Sequence, residues 1–298
     1  MNKNKSSLPK IKSCLESGLR LDGRSLTERR NFLLQESERL QTNSLYGCRI
    51  QNPETGNWIY FSLTGRIERE EPEIKLQIEY PESVDGQKSK KRVNRRDTQI
   101  AKIFNFSMNP QAKRFFDISG DQIESSAQDA QSSELKSLIE ALLLSKLDLS
   151  SLKLDSYSCS WHLTLNIFSL SPLALHDLDY LLFGLSHLLI SVKMPLLSVS
   201  FNALSKQFTF EVLSDTFSLF EKKDLPTIFL IGEVQGNLLV DLTSEELQVV
   251  DSLYVASFRK NGVLREIQKV DGKPVQMGIV NRVLLMTRKL ILDESLSS

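Results

Sequence analysis

The sequence predicts an α+β protein made of two βαβα-type halves, with antiparallel or mixed sheets and helices packed on them. Three observations predict it. Segments with strand-like alternation come in neighbouring pairs joined by turn chemistry, and each such group is followed by a segment with helical spacing. No strict alternation of single strands and helices points to a doubly wound parallel sheet. No short-period repeat points to a solenoid.

Taken in order, Ser7-Leu8-Pro9 followed by Ile11, Cys14 and Leu15 reads as a short opening helix, with proline at its start and Gly18 as its stop. Tyr46–Gln51 and Trp58–Leu63 flank Asn52-Pro53-Glu54-Thr55-Gly56 and form a hairpin. Ile74, Leu76, Ile78 and Tyr80 alternate as a half-buried strand does, and Ile103, Phe104, Phe106 and Met108 mark another. Between these two strands lies a polar excursion, Pro81 to Asp97, and a second polar stretch, Ser119 to Ser133, precedes a helix. The stripe of that helix is Leu135, Leu138, Ile139 and Leu142.

A strand follows over Cys159–Leu170, then a helix over Asp177–Ser191 with the stripe Leu178, Leu181, Leu182, Leu185, Leu188 and Leu189. Leu197–Phe201 pairs with Phe208–Val212. Thr227–Val234 and Asn237–Leu242 join at Gln235-Gly236. Ser252–Phe258 and Gly262–Lys269 join at Asn261-Gly262, read as a two-residue turn whose central residues both accept positive φ. A helix from Pro274, with Val280, Val283, Leu284, Leu290 and Ile291 as its stripe, closes the chain.

Composition narrows the function classes. The 298 residues carry 37 Lys+Arg and 37 Asp+Glu. That balance argues against coating nucleic acid by bulk electrostatics, while leaving room for a local basic patch. Three cysteines, Cys14, Cys48 and Cys159, without a Cys-x-x-Cys pair, exclude a disulfide framework and most structural zinc sites, and suggest a reducing compartment. No apolar stretch follows the opening Met-Asn-Lys-Asn-Lys-Ser-Ser, so a secretory leader is not expected. The most apolar segment, Leu178 to Leu197, is broken by His187 and Lys193 and is not expected to span a bilayer.

The catalytic inventory is thin. His162, His176 and His187 have no partner at ligand spacing, so no metal is expected, and no glycine-rich phosphate loop or nucleophile elbow is present, so no cofactor is expected. One basic run stands out: Lys88, Lys90, Lys91, Arg92, Arg95 and Arg96. Three readings stay open for it: a solvated insertion loop, an arm contacting the RNA backbone, or a nuclear import signal. No aromatic interleaves with the charges, so base stacking is not indicated.

Three motifs in order carry a resemblance to a known family. Gly18-Leu19-Arg20-Leu21-Asp22-Gly23-Arg24-Ser25 resembles the N-terminal "R-x-D-G-R" signature of the RNase PH family, with Arg30 near where that family often keeps an arginine. Leu147-Asp148-Leu149-Ser150-Ser151-Leu152-Lys153-Leu154 with Ser160-Trp161-His162-Leu163-Thr164-Leu165 is similar to "D-L-x-x-L-x-I … C-W-x-L-x-V", and Val240-Asp241-Leu242-Thr243-Ser244-Glu245-Glu246 to "V-D-P-T-x-E-E". Both belong to the non-catalytic RNase PH-like subunits of the eukaryotic exosome core. The resemblance spans about residues 8 to 292, and implies an N-terminal extension over 1–18 and an RNase PH-like domain over 19–298 with a basic insertion at about 84–100.

The departures from the family bear on activity. Active members bind phosphate through "G-[ST]-R-T" before the second helix, whereas Leu170-Ser171-Pro172-Leu173-Ala174-Leu175-His176-Asp177 contains no arginine as a bidentate donor. Asp241 matches the first of two metal-holding aspartates, but Leu247 stands six residues on. Where silent relatives place RNA-guiding arginines, the helix offers Ala141, Leu144 and nearby Lys146.

The resemblance therefore implies a non-enzymatic scaffold in a six-membered ring that channels RNA for 3′–5′ decay and processing, rRNA included. Its partners would be other RNase PH-like subunits, KH/OB-type caps, RNA and an associated nuclease, with no membrane, in nucleus (nucleolus included) and cytoplasm. The alternatives are a divergent phosphorolytic 3′–5′ exoribonuclease subunit and a stand-alone RNA-binding protein using the basic loop.

Overall fold

The computed structural model describes residues 7–36, 44–80, 124–154, 159–202, 207–259, 261–272 and 277–297. The opening helix is α1, Leu8–Glu16. It ends as its sequence predicts. The N–H of Gly18 (φ +77°) donates to Leu15 O and that of Leu19 to Cys14 O, closing the last turn through a left-handed glycine.

A six-stranded mixed sheet follows, ordered β1 (Leu34–Glu36), β2 (Ser44–Gln51), β3 (Trp58–Glu68), β6 (Cys159–Ser169), β4 (Glu73–Glu79), with β5 (Lys153–Leu154) also pairing β6. The β4 strand runs parallel to β6, and the other pairs are antiparallel. The helix ahead of β5, α2 (Glu124–Leu142), buries Leu135, Leu138, Ile139 and Leu142, the predicted stripe. It starts at Glu124, inside the stretch read as a polar lead-in. Once the apolar stripe nucleates the helix by packing, propagation through alanines and glutamines costs little.

The central helix α3 (Leu178–Ser191) packs on β2 and β3 from one side and on β9 (Thr227–Val234) from the other. Burial extends beyond the leucine stripe to Asp179, Tyr180 and Gly184, because this helix lies between two sheets. Gly184 is required there. A Cβ would sit 2.7 Å from Phe61 Cζ and 2.8 Å from Ile50 Cδ1.

The second sheet is wholly antiparallel, in the order β10 (Asn237–Val240), β9, β11 (Ser252–Phe258), β12 (Leu264–Gly272), with a short helix α4 (Ser244–Leu247) after β10. The helix α5 (Met277–Ser297) covers it with Val283, Thr287 and Ile291 buried, while Leu285 faces out. Ile11 and Leu15 of α1 pack on Val234 and Leu239, tying the N-terminus to this second half.

The two hairpin turns divide differently from their sequences. Gln235 (φ +46°) and Gly236 (φ +85°) form a two-residue turn with both residues left-handed. At Asn261-Gly262 only Gly262 is left-handed. The Gly262 N–H donates to Arg259 O and the Arg259 N–H to Val263 O, so the expected two-residue turn is instead a three-residue loop ending in a left-handed glycine.

The third sheet is a ribbon of two strands, β7 (Lys193–Asn202) and β8 (Gln207–Ser218). The predicted strand at Ile103–Met108, the excursion at Pro81–Asp97, the stretch Ser119–Ile123 and the basic residues Lys88, Lys90, Lys91, Arg92, Arg95 and Arg96 lie outside the described residues, as does Pro274. Among the described residues no helix is long and apolar enough to cross a membrane.

Candidate functional site: an arginine–carboxylate junction and an apolar ribbon face

Residues 19–33 contain no helix or strand, yet they are fixed, because their arginines reach across the fold. Arg20 is buried. Its Nε donates to Glu246 Oε1 (2.8 Å), its Nη2 to Glu246 Oε2 and Asp241 O (2.9 Å), and its Nη1 to Val240 O (3.0 Å). This is a two-pronged guanidinium–carboxylate pair with two further N–H groups satisfied by carbonyls.

Glu246 is placed by a capping box. The Thr243 N–H donates to Glu246 Oε2 (2.9 Å), and the Glu246 N–H donates to Thr243 Oγ1 (3.2 Å). The conspicuous Thr-Ser-Glu-Glu run is thus the start of a helix whose N3 glutamate doubles as the receptor for Arg20.

Asp241 lies at the centre. Its backbone is left-handed (φ +51°) and its side chain is fully enclosed. Arg24 Nη1 donates to Oδ2 (3.0 Å). Arg30 donates from Nε to Oδ1 (3.0 Å), from Nη2 to Oδ1 (2.5 Å) and from its backbone N–H to Oδ2 (2.6 Å). Burial pushes the carboxyl toward protonation, but the hydrogen bonds and charge of Arg30, then the charge of Arg24, outweigh it and hold Asp241 below the usual carboxylate range. Glu54 completes the junction, accepting from Arg30 Nη1 (2.8 Å) and Ser244 N (3.0 Å).

Beside it, Arg29 lies 4.2 Å over the Phe229 ring and 3.8 Å from Asp179 Oδ1. Burial dominates at Asp179 and pushes its carboxyl up to about 6 despite Arg29.

The position matched to a metal-holding aspartate is therefore saturated by two guanidinium groups, and Leu247 packs on the main core. At the approach to α3, Asp177 Oδ2 accepts from Ala174 N (2.7 Å) and His176 Nε2 lies 3.1 Å from Asp177 Oδ1. Of the residues matched to RNA-guiding positions, Ala141 is exposed, Leu144 is buried in the core and Lys146 pairs with Glu266 at 3.4 Å. A group that sequence spacing does not reveal is Glu68, Glu70 and His162, whose ligand atoms lie within 4.8 Å of one another because β3 and β6 pair side by side. Glu68 already pairs with Arg66 at 2.6 Å.

The ribbon supplies a different kind of feature. Its register sets Leu197 opposite Val212, Val199 opposite Phe210 and Phe201 opposite Phe208, so one face carries six apolar side chains. The other carries Ser198, Ser200, Thr209 and Glu211. On the apolar face Phe201 is 42 %, Phe210 39 % and Val212 71 % exposed. Arg69, from the β3–β4 turn, covers the Phe208 ring at 4.1 Å. The alternation is visible in the sequence, while the exposure of Phe210 and Val212 is not.

No family profile and no curated protein matches the sequence. Solved structures do match in shape. A chain of the Archaeoglobus fulgidus exosome with RNA bound to the active site superposes with a TM-score of 0.61 over 98% of this chain and 97% of that one, at 14% identity. A chain of an archaeal exosome core gives 0.58 over 96% and 95%, at 16% identity. The fold is thus the α+β, RNase PH-like fold of exosome core chains, shared along nearly the whole length.

Proposed function

We propose that this chain is a non-catalytic structural subunit of a eukaryotic exosome ring. It would sit among related RNase PH-like chains in a six-membered barrel beneath KH/OB-type caps, helping to deliver RNA to an associated nuclease in nucleus and cytoplasm. The exposed Phe210 and Val212 on the apolar face of the β7–β8 ribbon carry the reading. A two-stranded ribbon is marginal by itself, and large apolar side chains as exposed as Phe210 and Val212 are what an assembly interface covers. An obligate interface would bury more than about 2,000 Å² across the neighbours. Silence in phosphorolysis is supported by the saturated Asp241 and by the arginine-free approach to α3.

The test is purification of the tagged chain from its own cells at mild salt, followed by mass spectrometry. A stoichiometric set of related chains and cap proteins is expected, and Phe210→Glu combined with Val212→Glu is expected to release the chain from that set. Elution of the unsubstituted chain alone, or with RNA only, would sink the proposal. So would phosphate-dependent release of nucleoside diphosphates from RNA by the isolated chain, as far as silence is concerned.

A further inference from the structure

A cleft of about 770 Å³ opens between the segment 146–151 that follows α2 and the β11–β12 hairpin, with Leu219 and Phe220 also lining it. Four cationic side chains line it: Lys146, Lys223, Arg259 and Arg265. Two carboxylates line it as well, and each has a backbone donor. Asp148 accepts from Ser150 N (2.9 Å) and Asp224 from Glu221 N (2.9 Å). The lysines have neighbours of opposite charge in exposed pairs, Lys146 with Glu266 at 3.4 Å and Lys223 with Glu221 at 2.8 Å. Such pairs are weak and exchange readily.

The arginines differ. Neither Arg259 nor Arg265 has a carboxylate partner among the described residues, and Arg265 Nε is shut away from water without an acceptor. Its placement is built into the sheet. Ser257 pairs with Glu266 and Phe258 with Leu264, so Arg265 is the extra residue of a β-bulge, the device by which a strand re-aims one side chain. Two guanidinium groups without a carboxylate partner among the described residues, lining one cleft with Leu219 and Phe220, are the arrangement that takes an oxyanion.

We infer that this cleft binds a phosphate ester, with Arg259 and Arg265 gripping its oxygens and Lys146 and Lys223 supplying the surrounding positive field. The ester comes either from the backbone of a single-stranded RNA or from a free nucleotide. The site stands whether or not the chain joins a ring.

The test uses the full chain with glutamine at the basic positions of 88–96, so that binding at that segment is not counted. Two probes are titrated by fluorescence anisotropy across a salt series, a labelled short oligoribonucleotide and labelled ADP. Saturable binding of at least one is expected. Arg259→Gln with Arg265→Gln should weaken it by about tenfold or more. If the ligand is the strand, the slope of log affinity against log salt should also fall by about 0.7, the share of the one phosphate that the two arginines grip. Asp224→Asn keeps an amide oxygen for Glu221 N–H and removes a negative charge, so it should tighten binding severalfold, which a misfolded variant could not do. Oligonucleotide binding that ADP does not displace identifies the strand, and ADP binding with the same arginine dependence identifies the nucleotide. Absence of binding by either probe, an unchanged affinity in the double arginine variant, or no tightening with Asp224→Asn overturns the site.

Discussion

Asp241→Asn isolates the charge at the centre of the junction. Asparagine is nearly isosteric and tolerates the left-handed backbone at φ +51°, so the turn survives. What is lost is the countercharge that Arg24 and Arg30 share. Removing one member of a buried ion pair costs about 3–5 kcal/mol. Here Arg24 retains Asp22 at 2.7 Å and Arg30 retains Glu54 at 2.8 Å, which places the expected loss near the lower end, about 3 kcal/mol.

The pH dependence follows from the lowered folded value of Asp241. Its contribution is fully present above the unfolded value of about 4 and fades as pH falls through the folded one. Urea denaturation followed by tryptophan fluorescence, at neutral pH and through the acid range, measures both effects. The variant should lose about 3 kcal/mol at neutral pH and show a flatter acid limb. A change below about 0.5 kcal/mol, the range of an ordinary surface substitution, would refute the reasoning that this carboxylate holds residues 20–30 in place.

Other substitutions probe separate features. Asp179→Asn should stabilise the protein at neutral pH by up to about 3 kcal/mol. Its carboxyl, raised to about 6 in the fold, favours folding below about pH 4 and loses that contribution as pH rises through 6; the same urea titration reads this. Gly184→Ala should cost about 1–3 kcal/mol by driving a methyl group into Phe61 and Ile50, visible as a lowered thermal midpoint. Burial pushes the Cys48 thiol up to about 12, and Cys159 is also buried, so a thiol reagent on the native protein should modify half-buried Cys14 alone at an appreciable rate.

Local chemistry made much of the fold legible. Pro9 and Gly18 bound the first helix, leucine spacing revealed α2 and α3, and alternation revealed β4. Where the sequence misled, a non-local term decided. The α2 helix runs back to Glu124 because a packed stripe supports residues with no stripe of their own. Asn261-Gly262 has the composition of a two-residue turn, yet only the glycine is left-handed.

The junction was legible only in pieces. Thr243 and Glu246 stand at capping-box spacing, and Arg20 and Arg24 stand in the Arg-x-Asp-Gly-Arg signature with Arg30 close behind, but nothing local says that Arg20 meets Glu246. Likewise Glu68 and His162 become neighbours only through the pairing of β3 with β6.

The distance along the chain between those partners bears on how the protein is made. Arg20 and Glu246 are 226 residues apart, and α1 packs on Val234 and Leu239 of the second half. At synthesis rates of about 5–20 residues per second, the leading segment leaves the ribosome on the order of ten to forty-five seconds before its receptor exists. Throughout that interval its arginines are solvated and Ile11 and Leu15 are uncovered, so a segment synthesised well before its receptor is among the last to lock into place. Docking of this segment reports that the chain has been made through Glu246. A nascent product stalled before Glu246 would carry this segment unattached and open to proteases.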